Sequence, residues 1–400
     1  MNEYILEQLQ TPIVEESDVL VAGGGIAGVS AAIAAARCGK RVILLEKQYM
    51  LGGLATAGLI TIYLPLCDGN GHQVSFGIAE ELFRLSIQYG YEAMYPSAWL
   101  NEKSELDRKK QRFEVRFNAQ LFAIAMEQLL QKEGVTIWYG TSVCGVQMNF
   151  DKISSVIIEN KSGRSAIKVR SVVDTTGDAD ICKMAGEDTV LFGDKNALAA
   201  RYYYVDKKGL HLNMQGVIDL SDEEKNGKME KLIPQTFQGI EGSELSEMVR
   251  CSHSAILDDF LKKRETDEGC MLTTIATIPQ IRMTRRILGA YTLSLQDERK
   301  EFEDSIGIIG NWKKRGPIYE IPFGALHGKK IKNIITAGRS ISTEDTMWDV
   351  TRVIPACAVT GEAAGIAAAL SDDFIALNVQ RVQQRLRKAG GKFFIRELEL

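Results

Sequence analysis

The chain has 400 residues, of which 45% are hydrophobic and 25% are charged. This composition is ordinary for a globular protein and excludes disorder over most of the chain, and the length suggests two or three domains. Lysines and arginines number 48 against 52 aspartates and glutamates, which gives a net charge of −4. The chain therefore has no overall basic field that would hold nucleic acid or an anionic membrane.

The first informative segment runs from residue 18 to residue 47 and predicts a complete βαβ unit. Val19 to Ala22 is a short apolar run, as a buried parallel strand requires. After three glycines, an alanine-rich helix is predicted from Ile26 to Cys38, and Gly39 stands where a helix C-terminal glycine belongs. Arg41 to Leu45 is predicted to be the second strand.

Later segments predict more of the same parallel sheet. The predicted strands are Val135 to Tyr139, Ser171 to Asp174 and Asn333 to Ala337. An amphipathic helix precedes the first of these strands, with apolar residues at Leu121, Ile124, Leu129 and Leu130. The last strand is followed by a helix rich in alanine and glycine, Pro355 to Leu370.

These strands are spread over the whole chain, so we predict an α/β fold with a discontinuous, Rossmann-like domain. It comprises residues 15–190 and 325–372, with 61–114 packing between domains. A mixed α+β cap or substrate domain is inserted at 191–324, and a helical tail follows at 373–400. Within the cap, polar and apolar residues alternate at Arg201 to Val205 and at Thr273 to Ile278. Acidic helical segments are predicted near Asp219 to Lys231 and Ala255 to Arg264.

The turn after the first strand carries the dinucleotide fingerprint Gly23-x-Gly25-x-x-Gly28. The first glycine permits the turn, the second lets a pyrophosphate approach the backbone, and the third lets the helix pack closely on the strand. The N-terminus of the helix offers unpaired N–H groups to the phosphates. Glu46 ends the second strand, where its carboxylate is placed to accept hydrogen bonds from an adenosine ribose.

The same unit binds NAD or FAD, so the choice depends on other segments. Paired glycines within Leu51 to Thr56 would let the chain run against a long cofactor. The turn Thr175 to Asp178 would add a contact from a strand end, and Pro355 suits the first turn of a helix whose N-terminus could face a reduced flavin. Without a ligand, these features would be a strand-ending turn and close helix–sheet packing.

With these elements, the chain resembles the FAD-dependent oxidoreductases of the glutathione-reductase-like superfamily, and within it a bacterial family distantly related to fumarate-reductase-type flavoproteins. The resemblance covers most of the chain. It rests on Gly23 to Gly28, Glu46, Gly52-Gly53, Thr176 to Asp178, Arg282 to Tyr291, Ile321-Pro322, Ala337 to Arg339 and Arg352 to Gly365.

The resemblance implies FAD as the cofactor and a role for each matching residue. The pyrophosphate would lie on Gly23, Gly25, Ile26, Ala27 and Gly28, and the adenosine ribose on Glu46. The path toward the flavin ring would be lined by Lys47, Gly53, Leu54 and Thr56. Val143 would bond adenine through its backbone, while Gly338 and Arg339 would lie beside the pyrophosphate and ribityl chain. The remaining predicted cofactor-binding residues are Thr176, Gly177, Asp178 and Pro355.

The reaction is less visible than the cofactor. No Cys-x-x-Cys pair occurs, which argues against a dithiol–disulfide reductase, and no metal-ligand spacing is present. His72 lies in a polar turn and is interpreted as a loop residue, with covalent flavin attachment as the alternative. Arg285 and Arg352 are the candidate catalytic residues, since a guanidinium matches a carboxylate in two hydrogen bonds. The alternative is structural ion pairing of either arginine to Asp297, Glu344 or Asp345.

We therefore expect an FAD-dependent oxidoreductase that transfers hydride between noncovalently bound FAD and a small, carboxylate-bearing substrate. The alternatives are an NAD(P)-dependent dehydrogenase, or a flavoprotein with an electron-transfer or tRNA-related role. Scattered cysteines, the lack of a signal-peptide pattern and the lack of a long apolar run predict a cytoplasmic protein without membrane or nucleic-acid partners. Homo-oligomerisation is compatible with the sequence.

Overall fold

The computed structural model describes residues 4–101, 103–216, 231–398 and 400. The strands are β1 Ile13–Ala22, β2 Val42–Leu45, β3 Ile62–Tyr63, β4 Tyr91–Ala93, β5 Val115–Phe117, β6 Thr136–Trp138, β7 Ser142–Asn149, β8 Lys152–Asn160, β9 Gly163–Asp174, β10 Thr189–Leu191, β11 Asn196–Ala197, β12 Ala200–Asp206, β13 Gly209–Gln215, β14 Thr236–Phe237, β15 Met271–Ile275, β16 Arg285–Ile287, β17 Ser305–Gly310, β18 Ile318–Pro322 and β19 Ile334–Thr336.

The α-helices are α1 Ile26–Arg37, α2 Ile78–Ser86, α3 Ser97–Leu100, α4 Glu105–Lys110, α5 Ala119–Lys132, α6 Asp180–Met184, α7 Gly242–Thr266, α8 Asp345–Thr351, α9 Ile354–Leu370 and α10 Val379–Lys388. Short 3₁₀ turns occur at Gly53–Ala55, Leu295–Asp297, Phe323–Ala325, Gly338–Ser340 and Ile395–Glu397.

The predicted parallel sheet is present and confirms the α/β fold. Its strands lie in the order β6-β2-β1-β9-β8-β7, and β19 pairs with the C-terminal end of β9. Strands β6, β2, β1, β9 and β19 are parallel to their neighbours in this group, whereas β7 and β8 form an antiparallel extension. The apolar run Val19 to Val21 is completely buried in the centre of the sheet. The carboxyl ends of the parallel strands consequently meet at one edge.

Helices α1 and α9 pack with their backbones almost in contact, which explains the small residues of α9. A Cβ atom on Gly361 would lie 2.3 Å from the carbonyl oxygen of Ala27. One on Gly365 would lie 2.1 Å from the carbonyl oxygen of Ala31. Both distances are far below van der Waals contact, so glycine is required at these two positions for the helices to approach this closely.

The face that α5 buries differs from the predicted one. Leu121 is 40% exposed and Ile124 is 53% exposed, whereas Phe122, Met126 and Leu130 are completely buried. The buried residues are spaced four apart and therefore lie along one side of the helix. The prediction was wrong for Leu121 and Ile124 because the run of apolar residues here is wider than the face that contacts the core.

Between residues 191 and 324 the elements are mostly antiparallel. Strand β12 lies between β13 and β15, and α7 packs against it through Ile256 and Phe260. The predicted helical segment Ala255 to Arg264 lies within α7, and the predicted strand at Thr273 begins earlier and ends at Ile275. The helical segment predicted near Asp219 to Lys231 lies outside the described residues, apart from its last residue. The division into domains stays a prediction.

In the described ranges, no single helix is long and apolar enough to cross a membrane. Helices α8 and α9 meet the length and composition requirement only when taken together, and they are bent by 86° to each other.

Candidate active site

A cavity of about 820 Å³ opens where the parallel strands end. It is bordered by the residues that follow β1, β2, β9 and β19 and by the first turn of α9. Its volume lies toward the upper end of the range of about 300–1,000 Å³ that is usual for small-molecule and cofactor sites. The crevice at the carboxyl ends of parallel strands is where α/β proteins bind nucleotides.

Two of the three fingerprint glycines, Gly23 and Gly25, line the cavity, and the third, Gly28, permits close packing of α1. A Cβ atom on Gly25 would meet no protein atom within 4 Å and would project into open space, and Gly25 lines the cavity. A Cβ atom on Gly28 would lie 1.8 Å from the carbonyl oxygen of Gly23, so Gly28 permits helix–turn contact and does not line the cavity. Gly23, Ile26 and Ala27 line it. Helix α1 has neither a side-chain cap nor an acidic residue in its first turn, so its N–H groups are available to an anion.

Glu46 is fixed at one end of the cavity and is 6% exposed. Its two carboxylate oxygens accept hydrogen bonds from the backbone N–H groups of Gly24 and Gln48, each at 2.7 Å. Each oxygen keeps a second acceptor position, because a carboxylate can accept about four hydrogen bonds. Lys47 also lines this end of the cavity.

The paired glycines past β2 place the chain directly against the fingerprint. Gly52 forms a bridge with Gly25 and donates from its N–H to the carbonyl oxygen of Gly24 at 2.8 Å. Its φ of +97° is a conformation that favours glycine. Gly53 and Leu54 line the cavity. Thr56 does not, because its hydroxyl donates to the Leu51 carbonyl inside the turn and is completely buried.

The turn after β9 is held by the buried carboxylate of Asp174. It accepts hydrogen bonds from the backbone N–H groups of Thr176, Ile181 and Cys182 at 2.9–3.1 Å. The predicted residues Thr176, Gly177 and Asp178 thereby come to line the cavity, as does Val143 at the start of β7.

Arg339 lines the cavity and also ties its walls together. Its Nε donates to the Gly177 carbonyl at 2.6 Å, its Nη1 to the Ile281 carbonyl at 2.8 Å, and its Nη2 to a carboxylate oxygen of Asp178 at 2.7 Å. The side chain is 17% exposed. These three bonds join the turn after β9 to the segment that leads into β16. Gly338, which begins the same 3₁₀ turn, lines the cavity too.

The N-terminus of α9 borders the cavity through Ile354 and Cys357, whereas the predicted residue Pro355 is buried and does not line it. Like α1, the helix has no side-chain cap and no acidic residue in its first turn. Burial raises the pKa of the Cys357 thiol to about 12, although Arg339 and Arg352 oppose the shift. The thiol is therefore protonated at neutral pH and unsuited to nucleophilic chemistry.

The two candidate arginines are not brought together. Arg352 lines the cavity and donates from Nη2 to a carboxylate oxygen of Asp349 at 2.7 Å. Arg285 does not line it, since its Nη2 donates to Asp180 at 2.6 Å and its Nε to the Asp178 carbonyl at 2.8 Å. Ion pairing was the alternative considered for both arginines, and it occurs, with Asp349 and Asp180 as partners in place of those considered from the sequence.

Several cavity residues were missed by sequence reasoning. Ile354 and Cys357 belong to the turn around Pro355, so the argument for that proline also covers them. Asp180 lines the cavity, and burial together with the carboxylates of Asp178 and Asp174 raises its pKa to about 6. The wall at residues 277–281 carries no sequence signal, because its position depends on long-range packing. His72, the alternative for covalent attachment, bonds Asp68 at 2.9 Å and does not line the cavity.

The fold and this cavity define a dinucleotide-binding α/β protein. The profile of the family described as FAD dependent oxidoreductase matches residues 18–201 and 194–386. The chain therefore belongs to this family, its cofactor is FAD and the protein is an FAD-dependent oxidoreductase.

Comparisons with individual proteins show local or distant similarity. A thioredoxin reductase of Ureaplasma parvum serovar 3 is 33% identical over 79 residues, which are 20% of this chain and 26% of that enzyme. A geranylgeranyl bacteriochlorophyll reductase-like protein from Thermoplasma acidophilum is 15% identical with a TM-score of 0.47, covering 94% of this chain and 83% of that one. A p-nitrophenol 4-monooxygenase from Pseudomonas putida DLL-E4 is 13% identical with a TM-score of 0.45, covering 94% and 84%.

The residues around the cavity fit FAD. The space beside Gly25 and the uncapped start of α1 would hold the pyrophosphate, and Glu46 would hold the adenosine ribose. Gly53 and Leu54 would lie along the cofactor toward α9. Of the predicted cofactor residues, Gly28, Thr56 and Pro355 act on the packing of the walls and the others line the cavity.

Proposed function

We propose that the protein transfers hydride between noncovalently bound FAD and a small organic anion that contacts Arg352. The observation that carries the proposal is the position of Arg352, which lines the same cavity as the fingerprint and stands two residues before α9. When bound, FAD supplies an acceptor or donor of hydride at its N(5) atom. The protein has to bind the substrate and orient it.

Asp349 is suited to orient Arg352. One carboxylate oxygen of Asp349 accepts hydrogen bonds from Nε and Nη2 of Arg352 at 3.0 and 2.7 Å, and Lys313 contacts the other oxygen. Burial acts to raise the pKa of Asp349, but the charges of Arg352 and Lys313 outweigh it and keep that pKa below its usual value. The carboxylate therefore stays ionised and fixes the guanidinium plane against which a substrate carboxylate would lie.

The start of α9 supports the same assignment. Its N–H groups have no side-chain cap, and the helix dipole adds a partial positive charge at this end. Negative charge in the cavity, on a substrate or on the pyrimidine edge of a reduced flavin, is stabilised there. An anionic substrate and an electron-rich cofactor would be favoured by the same group of donors.

The proposal is tested with FAD-loaded protein under anaerobic conditions. Carboxylic acids are screened for bleaching of the flavin absorbance, and kcat/KM is then measured for wild type, Arg352→Lys and Arg285→Lys. Lysine keeps the charge but loses the planar fork. Arg352→Lys should therefore weaken transition-state binding by about 2–5 kcal/mol and lower kcat/KM accordingly, with FAD content unchanged. The loss in Arg285→Lys should be smaller, because Arg285 does not line the cavity.

Two results would reject this function. One is a screen in which only neutral or cationic compounds bleach the flavin. The other is near-wild-type activity of Arg352→Lys on a carboxylate substrate. Loss of FAD together with activity in Arg352→Lys would assign that arginine to the structure of the cavity.

A further inference from the structure

Strand β12 places a charged side chain within a buried run. Ala200 and Tyr202 are completely buried, and Arg201 between them is 7% exposed. Its Nε and Nη1 atoms are buried and have no hydrogen-bond partner among the described residues. Buried guanidinium nitrogen atoms without partners are strongly unfavourable unless water, an ion or a ligand completes their hydrogen bonds.

Three other arginines act on the charge of Arg201. The pKa of Arg201 is lowered to about 9, mainly by burial and additionally by the charges of Arg282, Arg116 and Arg352. Arg282 is itself 7% exposed. An anion placed among these groups would relieve both the lost hydration and the mutual repulsion.

Arg282 and Arg352 link this cluster to the FAD cavity, although Arg201 itself does not line it. Arg282 directly follows Ile281, which lines the cavity and accepts a hydrogen bond from Arg339. Gln280 donates from its side chain to the Gly58 carbonyl, while its buried Oε1 has no partner among the described residues. This wall of the cavity and Arg282 are therefore parts of one continuous segment.

Strand β12, which carries Arg201, is joined by side-chain hydrogen bonds to residues of the region 61–117. Tyr203 lies on the same face of β12 as Arg201, because side chains alternate along a strand. Its hydroxyl contacts the Thr61 hydroxyl at 2.7 Å and donates to Glu92 at 2.9 Å. Strand β5, which carries Arg116, pairs with β3 just beyond Thr61. Arg201 is consequently fixed between the cap and the region 61–117.

We propose that Arg201 binds a carboxylate group of the substrate and thereby determines its specificity, an inference that rests on the proposed function. Arg352 contacts the substrate from the cavity, and Arg201 receives a carboxylate at the inner end of the site. The planar fork of a guanidinium matches a carboxylate in two hydrogen bonds, which supplies partners for the buried nitrogen atoms. The favoured substrates are small carboxylates and not neutral molecules of similar shape.

The first test is the sign of a stability change. In chloride buffer, FAD-loaded Arg201→Met should melt above wild type, by about 2 °C or more, because the substitution removes a buried charge that lacks partners. Arg84→Met is the control: Arg84 lies on α2, does not line the cavity and pairs with Glu80 at 2.7 Å. A melting temperature of Arg201→Met below that of wild type would show a structural role and overturn the inference.

The second test is anion binding without turnover. Acetate, malonate and benzoate are titrated into the oxidised, FAD-loaded protein at constant ionic strength, with chloride as the reference, and the melting temperature and flavin spectrum are recorded. At least one of them should stabilise wild type and Arg84→Met, and Arg201→Met should bind it about tenfold more weakly or worse. Arg201→Lys should fall between the two. If none of the three carboxylates stabilises wild type, or if all bind Arg201→Met equally well, the inference is wrong.

These tests separate the inference from the proposed function. Carboxylate binding that depends on Arg201, in a protein whose flavin no carboxylate bleaches, supports the site and rejects the reaction. Turnover of a carboxylate with unchanged KM in Arg201→Met supports the reaction and rejects the site.

Discussion

Arg339 and Arg201 both belong to the surroundings of the FAD cavity, but the protein treats their guanidinium groups in opposite ways. Three nitrogen atoms of Arg339 donate to the Gly177 carbonyl, the Ile281 carbonyl and the Asp178 carboxylate. Two nitrogen atoms of Arg201 are buried without any partner among the described residues. These three hydrogen bonds identify the first arginine as a clamp of the cavity walls. The lack of partners at the second indicates a group that a ligand completes.

The comparison predicts stability changes of opposite sign. Arg339→Met should destabilise the protein by about 3 kcal/mol, because it leaves a carboxylate and two carbonyl groups without their donor. Arg201→Met is expected to stabilise it. Thermal and urea unfolding of the FAD-loaded variants measures both changes. Destabilisation by both substitutions would remove the distinction between clamp and ligand site.

The Arg339 substitution should also weaken FAD binding, since the turn that contains Gly177 lines the cavity. Arg84→Met, on an exposed side chain, controls for loss of a guanidinium as such. If Arg339→Met has the same free energy of unfolding as wild type, the three hydrogen bonds contribute little to stability beyond the hydrogen bonds that water would supply.

Glu362 is a third buried ionisable group. It extends the comparison because a bound proton can neutralise its charge, as a bound anion would neutralise that of Arg201. Glu362 is 4% exposed, and its carboxylate accepts a hydrogen bond from the N–H of Ile78 at 2.9 Å. Burial raises the pKa of Glu362 to about 7. Between the ordinary pKa of a glutamate and about pH 7, Glu362 therefore keeps its proton in the folded state and has lost it in the unfolded state. The stability contributed by this proton is complete at low pH and is lost as the pH rises toward 7.

Glu362→Gln keeps the shape and removes the titration. Relative to this variant, wild type should lose about 2 kcal/mol of stability between about pH 5 and pH 7.5. Melting curves at the two pH values, with the exposed Glu7→Gln as control, measure the difference. A difference between wild type and Glu362→Gln that does not change with pH would contradict the account of this residue.

The parts of the site that follow from sequence are those built by consecutive residues. The strand, turn and helix around Gly25 and the carboxylate of Glu46 lie within a single βαβ unit, so their spacing alone predicts their placement. Orientation within a turn was less predictable. Gly28, Thr56 and Pro355 occupy the expected turns, but they contact the protein and not the cavity.

The parts that the sequence does not reveal depend on contacts between distant segments. In the sequence, Arg201 is one charged residue in a strand of alternating pattern. Its burial, its arginine neighbours and the absence of a counter-ion among the described residues appear only in the folded chain. Likewise, Arg285 and Arg352 are equivalent as sequence candidates. The side chain of Asp180, which lies far from Arg285 along the chain, decides that Arg285 stays outside the cavity.

The central claim is that the cavity beside Gly25 holds FAD without a covalent bond. It is tested most directly by acid precipitation of purified wild type and Gly25→Val, followed by identification of the flavin in the supernatant and the pellet. We expect a stoichiometric amount of FAD in the wild-type supernatant and none from Gly25→Val, whose added Cβ atom meets no protein atom within 4 Å, so that the fold should stay intact. Release of FMN, flavin retained in the pellet, or full FAD occupancy in Gly25→Val would contradict the claim.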